Sequence, residues 1–591
     1  MTVTPTLNEM PLRHAAEFET LAEALDYAAR GTTGCNFFDA RGKLGAVLPY
    51  RVLREEARGL ARRLATLRLP RGSRVALIAD TTPDFLRFFF ACQYAGLVPT
   101  PLPAALHLGS RDSYVEQLRR LVGACQPSVA VSTETFLPFL EKAVEDLSLA
   151  FVGTPDSFAA LPEGDADLRP SEPDELAYLQ YTSGSTRFPR GVAVSQRAVM
   201  SNLEGITRVG LNIQEGDRAM SWLPFYHDMG LVGFVLGPVA SQISVDYLGT
   251  RDFAMRPRRW LEIMTENGST ISFSPPFGYE LCARRIRPDD VARFDLRSWR
   301  TAGVGADTIR PEALQRFADL LEPSGFDRLA FQACYGMAEC SLAVSFAPAG
   351  CGIEVDAVDG VRLSRTGEAE TASGETSERV ASFGACGRPL PDLEVEIRDG
   401  EGQALPPRRC GTIFVKGPSV MEGYFGDERA TREVLTPDGW LNTGDVGYRI
   451  GENVVITGRE KDLIIINGRN IWPQDLEYLA EQQDRVRSGD AAAFSVPVTQ
   501  GGETAVIVVQ CRPLDPVERV AMVERLRCLA REGFGIDCFI DLVPPHTLPR
   551  TSSGKPSRSG ARAQFLERMG GTESWLEAEE VSGLGGASRT G

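Results

Sequence analysis

The sequence predicts an α/β protein. A large N-terminal domain is built from several subdomains: two mixed or parallel sheets packed with helices, plus a β-rich part. A small α+β domain follows it. Three observations carry this reading. Strand-like and helix-like patterns alternate through the first 300 residues, which implies mostly parallel sheets covered by helices. Short strands and turns dominate from "CGRPLPDLEVEIRDG" to "VVITGREKD". The pattern changes again after Asp462. A chain of 591 residues also exceeds one typical domain.

In chain order, "RVALIA" from Arg74 is a buried-strand run, and "TPDFLRFFFACQYAG" carries apolar residues at helical spacing with a stop at Gly96. "SVAVS" from Ser128 and "FLPFLEKAVEDL" repeat the pair. Val192-Ala193-Val194 reads as a strand, and Ser195 as the N-cap of the next helix. The run "GLVGFVLGPVA" from Gly230 is far short of the ~20 residues of a membrane span and reads as buried core. Composition shifts near Ala347. The segment of about 347–383 reads as an insertion, with Asp359-Gly360 the turn of a small hairpin and "SRTGEAETASGETSER" mobile. After Asp462, "LIIING" is a strand and turn, "QDLEYLAEQQ" a helix, and "AAFSVPV" and "TAVIVVQC" strands. "VERVAMVERLRCLAREGFG" is a helix with a glycine stop. The expected domains are therefore 1–461 and 462–570, with a disordered tail over 571–591.

Lys and Arg total 63 against 79 Asp and Glu, a net charge of −16, which argues against nucleic-acid or anionic-membrane binding but leaves room for a local basic pocket. Twelve scattered Cys without a C-x-x-C pair, and four His, give no zinc pattern and suit a reduced, cytoplasmic chain. The N-terminus has no basic start followed by an apolar block, so no signal peptide is expected.

The stretch "YTSGSTRFPRG", Tyr181 to Gly191, is Gly, Ser, Thr, Pro or Arg apart from Tyr181 and Phe188. Such a loop is ordinarily a turn. Its composition also suits phosphate: glycines let backbone N–H groups approach, hydroxyls donate, and Arg190 brings charge. It is not a Walker loop, there is no G-x-G-x-x-G or G-x-S-x-G, and its flanks make it strand–loop–strand.

With four further segments the chain resembles the adenylate-forming superfamily of acyl-CoA synthetases, adenylation domains and luciferases. The loop is similar to its phosphate loop, and "YGMAEC" (Tyr335 to Cys340) to its adenine and magnesium motif. "LNTGDVGY" with Asp445 is similar to its ribose motif, "ITGREKDLIIINGRNIWPQDLE" from Ile456 to its hinge, and "LPRTSSGK" to its C-terminal lysine motif. The resemblance covers nearly the whole chain and implies ATP and magnesium as cofactors. It implies that Thr182, Ser183, Gly184, Ser185 and Thr186 wrap the leaving pyrophosphate, and that Gly305, Ala306, Asp307, Tyr335, Gly336 and Met337 border the adenine. Asp445 and Arg459 would hold ribose or phosphate, and Glu339 with Thr186 magnesium. Lys555 would be the mobile cation of the transition state, His227 would position the incoming carboxylate, and Lys461 would be the hinge of a mobile C-terminal lid. The superfamily usually has Lys where Arg190 stands. Arg190 either grips phosphate bidentately or points away while backbone and hydroxyls suffice.

The insertion, "SFSPPFGYELCARR" and the hinge block resemble the fatty acyl-AMP ligase branch. That branch implies formation of a fatty acyl-adenylate with release of pyrophosphate. Transfer then goes to the phosphopantetheine thiol of an acyl carrier protein or a carrier domain of a polyketide or peptide synthase. Phe277, Tyr279 and Gly230 are candidate walls of the acyl pocket. The alternatives are a medium- or long-chain fatty acyl-CoA ligase and, less favoured, a non-catalytic acyl- or nucleotide-binding protein.

Overall fold

The computed structural model describes residues 12–104, 111–165, 167–182, 190–309, 311–373, 377, 379–466, 469–498, 502–551 and 555–572. The largest sheet has nine strands. Its centre runs parallel through Phe331–Gly336, Thr301–Val304, Ile271–Ser274, Arg218–Ser221, Ser244–Leu248 and Gly34–Phe38. Antiparallel strands close both edges. A second, wholly parallel sheet orders Val98–Leu102, Arg74–Ile78, Val129–Val131 and Phe151–Gly153. The expected alternation is thus present, because parallel neighbours need covering crossovers. The helix Pro83–Ala95 shows the local logic. Proline occupies its first turn, and Gly96 ends it at φ 65°, a left-handed position that disfavours a side chain.

Leu176–Tyr181 and Gly191–Ser195 pair antiparallel, and Tyr424 of Gly423–Tyr424 pairs with Val192 on the other side. Ser195 caps the following helix by accepting from the Ala198 amide. The β-rich part is a four-stranded antiparallel sheet of Glu394–Arg398, Gly411–Lys416, Leu441–Ile450 and Asn453–Arg459. Beyond it, Ala491–Pro497, Glu503–Gln510 and Cys538–Val543 form a small mixed sheet with the helices Pro473–Glu481, Pro516–Phe534 and Arg558–Arg568. These residues carry two hydrophobic clusters of their own.

The insertion differs from its expectation. Val355–Asp359 and Val380–Gly384 do pair as antiparallel strands. Asp359-Gly360 is not their turn, however: Asp359 caps the helix Gly360–Thr366 through the amides of Val361 and Arg362. Nor are the described residues of "SRTGEAETASGETSER" free of the body. Val358, Leu363 and Ala369 share a cluster with Tyr448 and Val455 of the β-rich sheet, Tyr448 donates to Asp356, and Arg408 pairs with Asp356 at 3.0 Å. A few apolar residues at the right spacing suffice where a neighbouring sheet completes the core. The tail beyond residue 572 lies outside the described residues.

The run from Gly230 is buried core, as expected. It belongs to a near-continuous helix from Asp228 to Ala240 whose middle, Val232–Leu236, widens to a π-helical turn. Pro238 has no N–H to bond back to Phe234. The Phe234 carbonyl is taken instead by the Tyr247 hydroxyl at 2.6 Å. A second π-helical turn, Gly205–Gly210, contains Thr207, whose hydroxyl donates back to the Leu203 carbonyl at 2.8 Å. No helix among the described residues is long and apolar enough to cross a membrane.

Candidate active site

The strand Thr301–Val304 delivers the Gly305-Ala306-Asp307 turn at its C-terminal end. Gly305 is required sterically, since a Cβ there would stand 2.7 Å from the Cys334 sulfur, and Ala306 takes φ 62°. Lys555 reaches this turn from the far end of the chain. Its ammonium donates to the Ala306 carbonyl and lies 3.3 Å from an Asp307 oxygen. Residues nearly 250 apart in sequence are thereby brought together, a contact no local pattern encodes.

Tyr335 ends the neighbouring strand, and its hydroxyl donates to Asp445 Oδ2 at 2.7 Å. Asp445 faces Arg459 in the strand register, and the guanidinium lies 3.1 Å from the other oxygen. Burial, followed by the Asp445 charge, holds the Tyr335 phenol well above its ordinary range. Gly336 is forced, because a Cβ would lie 1.9 Å from the Leu342 carbonyl, and Met337 donates to that carbonyl at 2.7 Å.

Glu339 is buried and accepts a 2.8 Å bond from the Tyr424 hydroxyl. Burial raises its pKa, and the Tyr424 bond opposes the rise. The Arg190 guanidinium stands 5.1 Å over the Tyr424 ring and 3.6 Å from Glu433. The guanidinium is thus directed to Tyr424 and Glu433. Thr182 donates to the Arg190 carbonyl at 3.2 Å and so closes the base of the loop. Ser183, Gly184, Ser185 and Thr186 lie outside the described residues. Lys461 sits in the short turn Glu460–Asp462, where desolvation and the neighbouring Arg459 lower its pKa. Arg558 binds Asp462 at 2.8 Å on the other side of that turn.

His227 is the N-cap residue of the core helix and Asp228 its first residue. Burial, then the Lys555 charge, lowers His227 to about 4, and its Nε2 has no partner among the described residues. Burial raises Asp228 to about 6, with the Glu339 charge adding to the rise. Among the described residues no group of three or more His, Cys, Asp or Glu could hold a metal. A lone buried Glu339 fits magnesium, which takes one or two carboxylates and completes its shell with phosphates and water.

An apolar cavity of about 70 Å³ opens between Asp228, Ala306 and Tyr335. Its deeper walls include Ile206, Leu211, Ile213, Ile243, Phe273 and Phe346. Both π-helical turns border it. On the core helix Met229, Gly233, Gly237 and Ser241 line it at steps of four, one face from end to end. The walls expected from the sequence do not line this cavity. Tyr279 is fully buried elsewhere, donating to the Gly303 carbonyl and packed on Trp299, Phe317 and Phe331. Phe277 is 39% exposed against Trp222. Gly230 turns the other way, toward the Pro224 carbonyl, 2.1 Å from where a Cβ would stand. The segment has an apolar pattern, but the pattern does not say which cavity it faces. Sequence reasoning also missed Asp228 and Tyr424, which only the strand pairing beside Val192 brings to Glu339.

The AMP-binding enzyme family matches residues 35–425. The chain belongs to it. It is an adenylate-forming ligase, with the large N-terminal and small C-terminal domains of that fold. A putative acyl-CoA synthetase of Caulobacter vibrioides is 46% identical over 95% of this chain and 98% of its own. A medium-chain-fatty-acid–[acyl-carrier-protein] ligase of Moorena producens is 31% identical over 97% and 99%. A solved chain from studies of fatty acyl-adenylate ligases of E. coli and L. pneumophila superposes with a TM-score of 0.90. It is 46% identical, covering 95% of this chain and 100% of that one.

Proposed function

We propose that the enzyme converts a fatty acid and ATP to fatty acyl-adenylate and pyrophosphate, then passes the acyl group to the phosphopantetheine thiol of an acyl carrier protein. The observation that carries this is the Lys555 ammonium at the Ala306–Asp307 turn, at the mouth of the apolar cavity. Joining a carboxylate to the α-phosphate brings two anions together, and a cation at the junction offsets their repulsion most when charge shifts in the transition state. A fatty carboxylate is ionised at pH 7 and needs no base. His227, neutral above about pH 4, offers its unpaired Nε2 for positioning. Asp445 and Arg459 suit the ribose, and Tyr335 the adenine face. When bound by Glu339 and Thr186, magnesium supplies charge neutralisation of the phosphates.

The cavity suits the acyl chain. From Asp228 to Ser241 the core helix rises about 20 Å. A fully extended chain of that length has on the order of a dozen to sixteen bonds. Lys461 is the proposed pivot between 1–461 and 462–570. The insertion touches the C-terminal part: the Arg379 guanidinium stands 4.5 Å over Phe534 and 3.7 Å from Asp475. Such a brace supports the carrier over free CoA as acceptor, as does the Moorena relative. The Caulobacter relative favours a second reading, an acyl-CoA ligase. Lys555→Ala tests the adenylation step: pyrophosphate release falls at least ~100-fold while ATP binding and the melting temperature hold. Release near the wild-type rate refutes the assignment.

A further inference from the structure

The far end of the cavity is not uniformly apolar. Ser241 lines it, is 3% exposed, and its hydroxyl has no hydrogen-bond partner among the described residues. Thr207, from the other π-helical turn, lines it too. Its hydroxyl proton is given to Leu203, which leaves its oxygen lone pairs able to accept. A buried hydroxyl without a partner is costly, so each such group in a native interior calls for an explanation.

Two observations place Ser241 at the bottom. It ends the helix that begins at Asp228, beside the Lys555 ammonium. It also lies just before the strand Ser244–Leu248, whose first residue is level with Arg218 at the start of the parallel sheet. The Ala306 turn follows the opposite, C-terminal end of that sheet. The hydroxyl and the reacting carboxylate would therefore sit at opposite ends of one straight path.

We infer that Ser241 recognises a neutral oxygen-bearing group, a hydroxyl, at the end of the acyl chain farthest from the carboxylate. The inference rests on the fatty-acid reading above and adds the substrate class. A terminal carboxylate is excluded because no cationic side chain among the described residues lines the cavity and an unpaired buried anion is prohibitive. A terminal methyl fits the apolar walls but leaves the serine unpaired. A terminal hydroxyl gives it both a donor and an acceptor. Sites built to bond a substrate hydroxyl discriminate against the analogue lacking it.

The test compares ω-hydroxy fatty acids of about ten to sixteen carbons with the matching unsubstituted acids. kcat/KM for pyrophosphate release is measured on the wild type and on Ser241→Ala. The wild type favours the hydroxy acid at one chain length, and the ratio of hydroxy to plain falls about tenfold in the variant, the size of one buried hydrogen bond. A wild type that prefers the plain acid at every length overturns the inference, as does a variant that slows both acids equally. Turnover without discrimination defeats this inference alone. No turnover of any acid of either series defeats the fatty-acid reading as well.

Discussion

Replacing Arg190 with alanine separates two uses of one cation. In the structure the guanidinium lies over Tyr424 and near Glu433, and Tyr424 in turn holds Glu339. A partly exposed cation–π contact contributes about 0.5–1 kcal/mol. The pair with Glu433 is half in solvent and contributes at most about 0.5 kcal/mol after screening. The loss is therefore about 0.5–1.5 kcal/mol, a fall of roughly two- to twelvefold if all of it is felt through Tyr424 at Glu339. The fall belongs in kcat, because Glu339 is displaced rather than a phosphate contact removed. A bidentate arginine–phosphate contact would cost more, about 3 kcal/mol or above, and would appear as a large rise in the KM for ATP. The assay is steady-state pyrophosphate release at varied ATP with saturating fatty acid. A KM for ATP raised a hundredfold, with kcat unchanged, refutes the reasoning.

Two further outcomes follow from the same geometry. Asp228→Asn raises the melting temperature at pH 7. The folded carboxyl titrates near 6 rather than 3.8, so the folded chain binds more protons than the unfolded one between those values. Its cost, on the order of 1–3 kcal/mol, is complete above pH 6 and absent below pH 4, where the gain in melting temperature vanishes. An equal gain at both pH values contradicts this. Gly233→Leu fills the cavity about a third of the way along the core helix. Gly233 has open contact there, the nearest atom to an added Cβ being Leu342 Cδ2 at 3.5 Å. Chains longer than about six carbons are then rejected by at least ~30-fold while shorter ones are retained, as measured by acyl-AMP formation across a chain-length series. An unchanged profile shows that the acyl chain runs elsewhere.

The motifs were legible because each is a short loop or strand end whose chemistry is local. The Ser195 cap and the Gly96 stop stand where the sequence places them, and Asp445 lies in the expected β-rich part. What was not legible depends on packing between distant segments. Tyr279 sits in a segment with the right composition, yet the helix it belongs to turns it into the aromatic core. Asp359-Gly360 has the residues of a turn but caps a helix, because the neighbouring sheet supplies the apolar partners that let that helix form. Tyr424 reaches Glu339 through strand pairing that no local pattern announces. The helix from Asp228 presents glycines at 233 and 237 to the cavity and widens over Val232–Leu236. A sequence shows those residues but not the face they share.

The central claim is that this enzyme makes a fatty acyl-adenylate and hands it to a carrier protein. The most direct test incubates the full chain with ATP, magnesium and a fatty acid of about a dozen carbons. Coenzyme A and a holo acyl carrier protein are supplied in separate reactions, and the products are resolved by mass. The account predicts acyl-AMP in both reactions and acyl-carrier thioester in the second, with little acyl-CoA in the first. Abundant acyl-CoA, with no acyl-AMP accumulating and no carrier acylated, would contradict it.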